Sequence, residues 1–311
     1  MFSIKVVSFS ILLSVASHSL SDPVDQLLAF LTEYQLEAAW PWASIQKRLY
    51  LATTSGLLIA NDQQVQKIYP GTDFFPVVTD KNNLYLTNRQ GELWQSPLQS
   101  PEKVNWRRSF QSWAFPPIIK NNQIYLTTRF EGLMAIDAAT GKIEWTAKLS
   151  HEPVYRPVFL PDNQIGVLTY GARLMIYSYQ GKLLEDIKLP GIGKYLTLYE
   201  EPHPSQIKRL QIVGIDGSLI QVDWHTRTLT QQQVAKRILT PVYADKDFWW
   251  LLEDKSRLWQ LNLGTGVLMD NEIKQHYIEH IYSDNKDWFS IIKNNGTFSR
   301  QRLSIKPAPS L

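Results

Sequence analysis

Two histidines four residues apart, His276 and His280, have the spacing that lets two imidazoles on one turn of a helix share a metal ion. The surrounding IKQHYIEHIYS reads instead as a loop entering a strand, so no metal site is expected there. Asp73, Asp80, Asp137, Asp162 and Asp216 would form a carboxylate collection if the fold converged them. Each stands beside a turn signal, however, and turn chemistry accounts for them more simply. Asn295-Gly296-Thr297 matches a glycosylation acceptor and equally an Asn-Gly hairpin turn. The chain has no Gly-x-Ser-x-Gly elbow, no phosphate-binding Gly-rich loop ending in Lys-Ser or Lys-Thr, and no His-Glu-x-x-His. It also has no cysteine, which excludes or weakens zinc, iron–sulfur and thiol chemistry. No catalytic, cofactor-binding or metal-binding residue is assigned. The expectation is a non-enzyme without a cofactor.

The residues that do gather by type are aromatic: Trp40-Pro41-Trp42, Phe74-Phe75 and Trp113-Ala114-Phe115. If their loops share one rim, Trp40, Trp42, Phe74, Phe75, Trp113 and Phe115 form a candidate partner-binding surface of the kind enriched at protein interfaces. The competing reading packs the same rings inside the fold, where large aromatics usually reside.

The elements that must carry these loops are strands. From Pro116 the chain runs PPIIKNNQIYLTTRFEGLMAIDAATGKIEWTAKL, an alternation of short apolar strands with turns at Asn121-Asn122, Gly132 and Thr140-Gly141. Four short strands in about 40 residues describe one propeller blade. The landmarks recur: Pro76, Pro116, Pro157 and Pro241 are separated by 40, 41 and 84 residues, and Lys103-Val104-Asn105-Trp106 precedes Lys142-Ile143-Glu144-Trp145 by 39. The turn before the third strand is followed through Gly56, Gly91, Gly132, Arg173, Gly217, Ser256 and Gly296, six intervals over 240 residues. That spacing predicts seven copies. A four-stranded blade has two apolar faces that only neighbouring blades can bury, and Trp106, Trp145, Trp250 and Trp259 fall where such packing is expected.

Outside the repeats, Lys5 precedes an apolar run from Val6 to Ala16 followed by small polar residues, the pattern of a secretory signal cleaved between Ser17 and Asp22. That run is shorter than the roughly 20 apolar residues a membrane span requires. Val24, Leu27, Leu28, Leu31 and Leu36 then share one face of a helix, expected to cap the ring or its last blade. The net charge of +3, from 32 basic and 29 acidic residues, is too small to point to nucleic acid.

The segment AIDAATGKIEW, Ala135 to Trp145, resembles the repeat of the PQQ-type (pyrroloquinoline-quinone-type) β-propellers: Ala-x-Asp-x-x-Thr-Gly with a tryptophan four residues on. The resemblance extends in diluted form from about Trp42 to Ile305, with Leu261 to Gly266 keeping the turn and Val104-Asn105-Trp106 the end. Joined with the repeat count, it gives the expectation of an all-β, seven-bladed propeller of four-stranded antiparallel blades over residues 38–306, after a signal at 1–21 and a helical segment at 22–37, with a tail at 307–311. Seven copies depart from the eight expected in the lipoprotein branch of the superfamily. The superfamily holds quinoprotein dehydrogenases, which bind quinone and calcium in the central funnel, commonly beside a disulfide between adjacent cysteines. This chain lacks those cysteines. It also holds a non-enzymatic branch that includes the propeller lipoprotein of outer-membrane β-barrel assembly, although this chain has no cysteine to accept lipid. The resemblance implies a soluble, monomeric, periplasmic scaffold with a protein partner in the cell envelope. The alternative is a small-ligand binder or quinoprotein-like enzyme using the funnel.

Overall fold

The repeat resolves into strands because apolar residues alternate between turns that only a few residue types can make. The computed structural model of the chain describes residues 22–34, 38–45, 47–61, 63–200, 208–234, 239–244, 248–253, 257–262, 267–271, 278–284, 287–294 and 297–302. The expected signal, His276, the Asn295-Gly296 turn and the tail lie outside the described residues, as do the side chains of Trp40, Trp42, Trp250 and His280.

All sheets are antiparallel. Sheet 1 holds β1 (Ala38–Ile45), β2 (Arg48–Thr53), β3 (Gly56–Ala60) and β4 (Val65–Ile68). Sheet 2 holds β5 (Val78–Thr79), β6 (Asn83–Thr87), β7 (Glu92–Pro97) and β8 (Trp106–Ser109). Sheet 3 holds β9 (Ile118–Lys120), β10 (Gln123–Thr128), β11 (Gly132–Asp137) and β12 (Ile143–Ala147). Sheet 4 holds β13 (Val158–Leu160), β14 (Gln164–Thr169), β15 (Arg173–Ser178) and β16 (Leu183–Lys188). Sheet 5 holds β17 (Gly193–Glu200), β18 (Lys208–Gly214), β19 (Ser218–Asp223) and β20 (Leu229–Gln233). Sheet 6 holds β21 (Leu239–Ala244), β22 (Phe248–Glu253), β23 (Arg257–Asn262) and β24 (Leu268–Asn271). A last sheet has three strands among the described residues: β25 (Ile278–Asp284), β26 (Asp287–Asn294) and β27 (Thr297–Arg302). In every four-stranded sheet the strands lie side by side in chain order.

Period-two alternation explains why the middle strands read as continuous apolar runs. On β10 and β11, Ile124, Leu126, Met134 and Ile136 pack against Tyr85 and Leu93 of sheet 2. Their neighbours in sequence, Tyr125, Leu133 and Ala135, pack against Ile165, Val167 and Met175 of sheet 4. Each face of a sheet thus belongs to a different neighbour, and only an arrangement of sheets face against face buries both.

The first strands of the sheets meet, β13 with β17 and β21 with β25, and β25 lies against β1, so the first and last sheets are neighbours. Helix α1 (Pro23–Glu33) lies against β27 as well as β2, β3 and β4. Its start is specified locally: Asp22 caps it by accepting the Val24 N–H at 2.8 Å, and Pro23 stands in the first turn, where its missing N–H costs nothing. Leu27 and Leu31 are completely buried, in a cluster with Leu51 and Leu58.

The turns confirm some expectations and shift others. Asn121 and Asn122 both adopt left-handed conformations, with φ of 51° and 62°, as a two-residue hairpin loop requires. In the fourth copy the left-handed corner falls on Ala172 (φ 54°) and not on Arg173, which pairs with Thr169 at the start of β15. Arg173 is the register equivalent of Gly132, which pairs with Thr128, but the backbone strain has moved one residue earlier.

Candidate interaction surface

Two ends of the sheets carry different chemistry. At one end, the turns between third and fourth strands join sheets 3, 4 and 5 each to the sheet before it. Trp106 of β8 lies over Gly141 of sheet 3 and donates its indole N–H to the Ala138 carbonyl at 3.0 Å. One interface later, Trp145 of β12 lies over Gly181 and donates to the Tyr179 carbonyl at 3.1 Å. The inter-sheet role expected for these two tryptophans holds, and Trp259 likewise packs between sheets, with Val213 and Leu219.

At the third interface both partners change. Glu185 of β16 stands where Trp145 stands in β12, since it pairs with Ile176 as Trp145 pairs with Ala135. Arg227, with φ of 59°, stands where Gly181 does. The carboxylate takes two hydrogen bonds from the guanidinium, at 2.8 and 2.7 Å, and Arg227 Nη1 donates to the Trp224 carbonyl, the equivalent of the one that accepts from each indole. The Arg227 guanidinium beside Glu185 holds that carboxyl below its usual range. The turn is the same in both variants: Asp137 accepts from the Thr140 N–H and hydroxyl, and Asp223 from the N–H and hydroxyl of Thr226. These bonds depress both aspartates, the Thr140 hydroxyl contributing most at Asp137 and the Thr226 N–H most at Asp223. The sequence signal for this turn was Asp-x-x-Thr in DWHT, which survives although the glycine after it is lost.

The opposite end carries the aromatic loops. Isolated bridges Phe74↔Asn88, Ala114↔Thr128 and Pro153↔Thr169 hold the loop before the first strand against the end of the second strand or the residue just after it, in sheets 2, 3 and 4. Trp113 projects from the loop before a first strand with 40% of its surface exposed; Phe130 and Tyr170 project from loops between second and third strands with 65% and 54%. Arginines run between them. Arg89 pairs with Asp73 at 3.0 Å, and its guanidinium lies 5.7 Å from the Phe75 ring centre and 5.6 Å from that of Trp113. Arg129 pairs with Glu152 at 2.8 Å and lies 5.5 Å from Trp113 and 5.3 Å from Phe130. Tyr170 joins the row through its N–H, which donates to the Glu152 carbonyl. The result is a ledge in which Arg89 and Arg129 alternate with Phe75, Trp113 and Phe130, with Tyr170 of sheet 4 beside it through the backbone bond to Glu152. The three braced rings are suited to bury against another surface because cations already hold them.

The expected rim residues divide. Phe74 (1% exposed) and Phe115 (6%) are corrected to packing residues: Phe74 stands edge-on to Trp94 in the core, and Phe115 lies between Phe75 and Tyr155. Phe74 is itself the bridge residue opposite Asn88, and Phe115 follows the bridge residue Ala114, so the two rings are held inward from different register positions. Phe75 is half-buried in the same row, Phe75, Phe115, Tyr155 and Tyr195, whose rings are 5.8, 5.9 and 6.3 Å apart from one to the next. Its members recur every 40 residues in the sequence, a signal the aromatic clusters alone did not reveal. Phe130 and Tyr170 were missed because each is single in its loop. Asp80 and Asp216 serve turns as expected, accepting from Asn82 and Asn83 N–H and from Ser218 N–H, whereas Asp73 is the ion-pair partner of Arg89. Among the described residues no group of three His, Asp or Glu side chains is placed to hold a metal ion.

Residues 75–184, which contain most of this ledge, match the family model described as outer membrane protein assembly factor BamB. This stretch is similar to PQQ-type repeats. The PQQ-type match accords with the Trp-on-Gly docking between sheets 2, 3 and 4. No curated protein matches the chain. Among solved structures, BamB from Moraxella catarrhalis superposes with a TM-score of 0.63 at 14% identity, covering 85% of this chain and 82% of that one. The computationally designed protein Ika8 superposes with a TM-score of 0.63 at 12% identity, covering 86% and 84%. At these identities the likeness concerns the fold alone. A natural assembly factor and a designed protein match it equally well, so function must be argued from the surface.

Proposed function

We propose that this chain is a protein-interaction scaffold of the cell envelope: a ring of seven PQQ-type blades, exported by the segment at 1–21, that presents the Trp113–Phe130–Tyr170 ledge to a partner in outer-membrane assembly. The observation that carries the reading is the ledge itself. Exposed large rings braced by Arg89 and Arg129 cost free energy in isolation and are repaid when a partner covers them. The BamB family model over residues 75–184 and the apolar run Val6 to Ala16 support the envelope setting. Further support comes from the contact of β25 with β1, which fits a closed ring. The same reading is of a non-enzymatic scaffold: the ledge offers contact area and fixed cations, and its carboxylates Asp73 and Glu152 are each engaged by an arginine.

The test is cross-linking of the tagged chain in its native envelope beside a Trp113→Ala, Phe130→Ala variant. Capture of a defined envelope protein by the parent and its loss in the variant is the expected result; equal capture by both removes the ledge from the function.

A further inference from the structure

The outer strands of propeller blades expose unpaired backbone groups, and proteins usually guard such edges with charge. Here β4 carries Lys67, β8 Arg107 and Arg108, β12 Glu144, β16 Glu185, Asp186 and Lys188, and β24 Asp270. The outer strand of sheet 5, β20, reads Leu-Thr-Gln-Gln-Gln, carries no charge, and is exposed at all five positions.

Its free groups can be placed. The Val234 N–H donates to the Gly217 carbonyl at 3.2 Å and the Asp223 N–H to the Thr228 carbonyl at 3.0 Å. Between these points the register with β19 is unbroken. Paired groups alternate along an antiparallel strand, so Thr230 and Gln232 bond to β19 while Leu229 and Gln231 direct their N–H and C=O away from the sheet. Beside that edge lies a groove of about 360 Å³ lined by Leu229, Thr230 and Gln231 on one side and Lys188, Leu189 and Pro190 on the other. It opens at the sheet 4–sheet 5 interface, where Glu185 replaces the tryptophan of earlier interfaces. The nearby charges are already engaged: Glu185 with Arg227 and Asp186 with Arg173. Lys188 is exposed and has no ion pair among the described residues.

We infer that β20 is a docking edge for an extended segment of a partner protein, added as a further strand to sheet 5. Backbone pairing with Leu229 and Gln231 supplies the attachment. Alternation then sends every second side chain of the guest into the Leu189–Pro190–Leu229 groove and the others to solvent, so the guest alternates apolar and polar residues. A carboxylate at one end of it complements Lys188. This surface is separate from the aromatic ledge and does not depend on it.

The probe is a fluorescein-labelled peptide of alternating valine and threonine with aspartate at one end, together with the same peptide N-methylated at alternate backbone positions. Fluorescence anisotropy on the full chain should show saturable binding of the first and none of the second. Gln231→Pro removes only an outward N–H and leaves the β19 ladder intact, and it should weaken binding at least about tenfold at an unchanged unfolding midpoint. Gln231→Lys is the second variant should proline disturb the strand. Equal binding of the N-methylated peptide, binding unaffected by both variants, or no binding overturns the inference. So does sedimentation showing that β20 instead pairs with a second copy of the chain.

Discussion

Glu185 and Arg227 form a two-point ion pair across the sheet 4–sheet 5 interface, in the places that Trp145 and Gly181 occupy one interface earlier. The exchange conserves function at the level of packing: a large group from one outer strand meets the left-handed corner of the next sheet, and a donor still reaches the carbonyl at Tyr179 or Trp224. Both partly exposed ends screen the pair, so its intrinsic contribution is about 0.2–1 kcal/mol. The prediction is coupling. Glu185→Trp and Arg227→Gly should each destabilise, while the double variant should be more stable than the sum of the two losses by roughly 0.5–3 kcal/mol, as read from denaturant unfolding. Strict additivity would show that the two positions do not substitute as a unit.

Glycine corners differ in what surrounds them. A methyl group at Gly141 (φ 69°) would lie 2.7 Å from Trp106 Cδ2, whereas at Gly71 (φ 81°) it would meet nothing within 4 Å. Gly71→Ala should therefore cost only the backbone penalty of about 1–2 kcal/mol. Gly141→Ala should add an overpacking cost of about 1–3 kcal/mol and displace the indole. Unfolding midpoints and tryptophan fluorescence of the two variants check this ordering.

The ledge and the ring row beneath it should separate experimentally. Phe115→Ala removes a buried ring and should lose about 3–5 kcal/mol of stability. Trp113→Ala should change stability by no more than about 1–2 kcal/mol, mainly through the two lost guanidinium–ring contacts, yet abolish partner capture. A variant that unfolds in proportion to its loss of capture would place Trp113 with Phe115.

Stability should fall at both ends of the pH scale. Burial pushes the Tyr125 and Tyr177 hydroxyls up to about 12. Because the folded values exceed the ordinary tyrosine value of about 10, their contribution is complete below that point and is lost as pH rises toward the folded values. Glu185 and Asp137 are depressed, so their contribution is present above the ordinary carboxylate range and is lost as pH falls through it. Chemical denaturation across pH should show loss in both windows. Phe at position 125 or 177 should remove part of the alkaline loss.

Much of the fold was legible because blade architecture is written locally. Turn residues at Asn121-Asn122 and Asp137–Gly141 and alternation along Ile124 to Thr128 need no distant partner to be read, and the 40-residue spacing of landmarks implies stacked units. The capped helix was equally plain, though Leu36, the last residue of its apolar stripe, lies outside the described residues.

What belongs to the site was less legible, for one physical reason: exposure is a property of neighbours. By itself the sequence determined strand alternation, turn positions, the helix cap and the absence of thiol chemistry. Only the tertiary structure decided that Phe74 and Phe115 turn inward while Trp113, Phe130 and Tyr170 face outward. It also decided that Arg89 and Arg129 bridge them, and that Glu185 meets Arg227 across 42 residues. Adjacent residues on an extended chain point to opposite sides, and which side is solvent is set by the sheet that packs there.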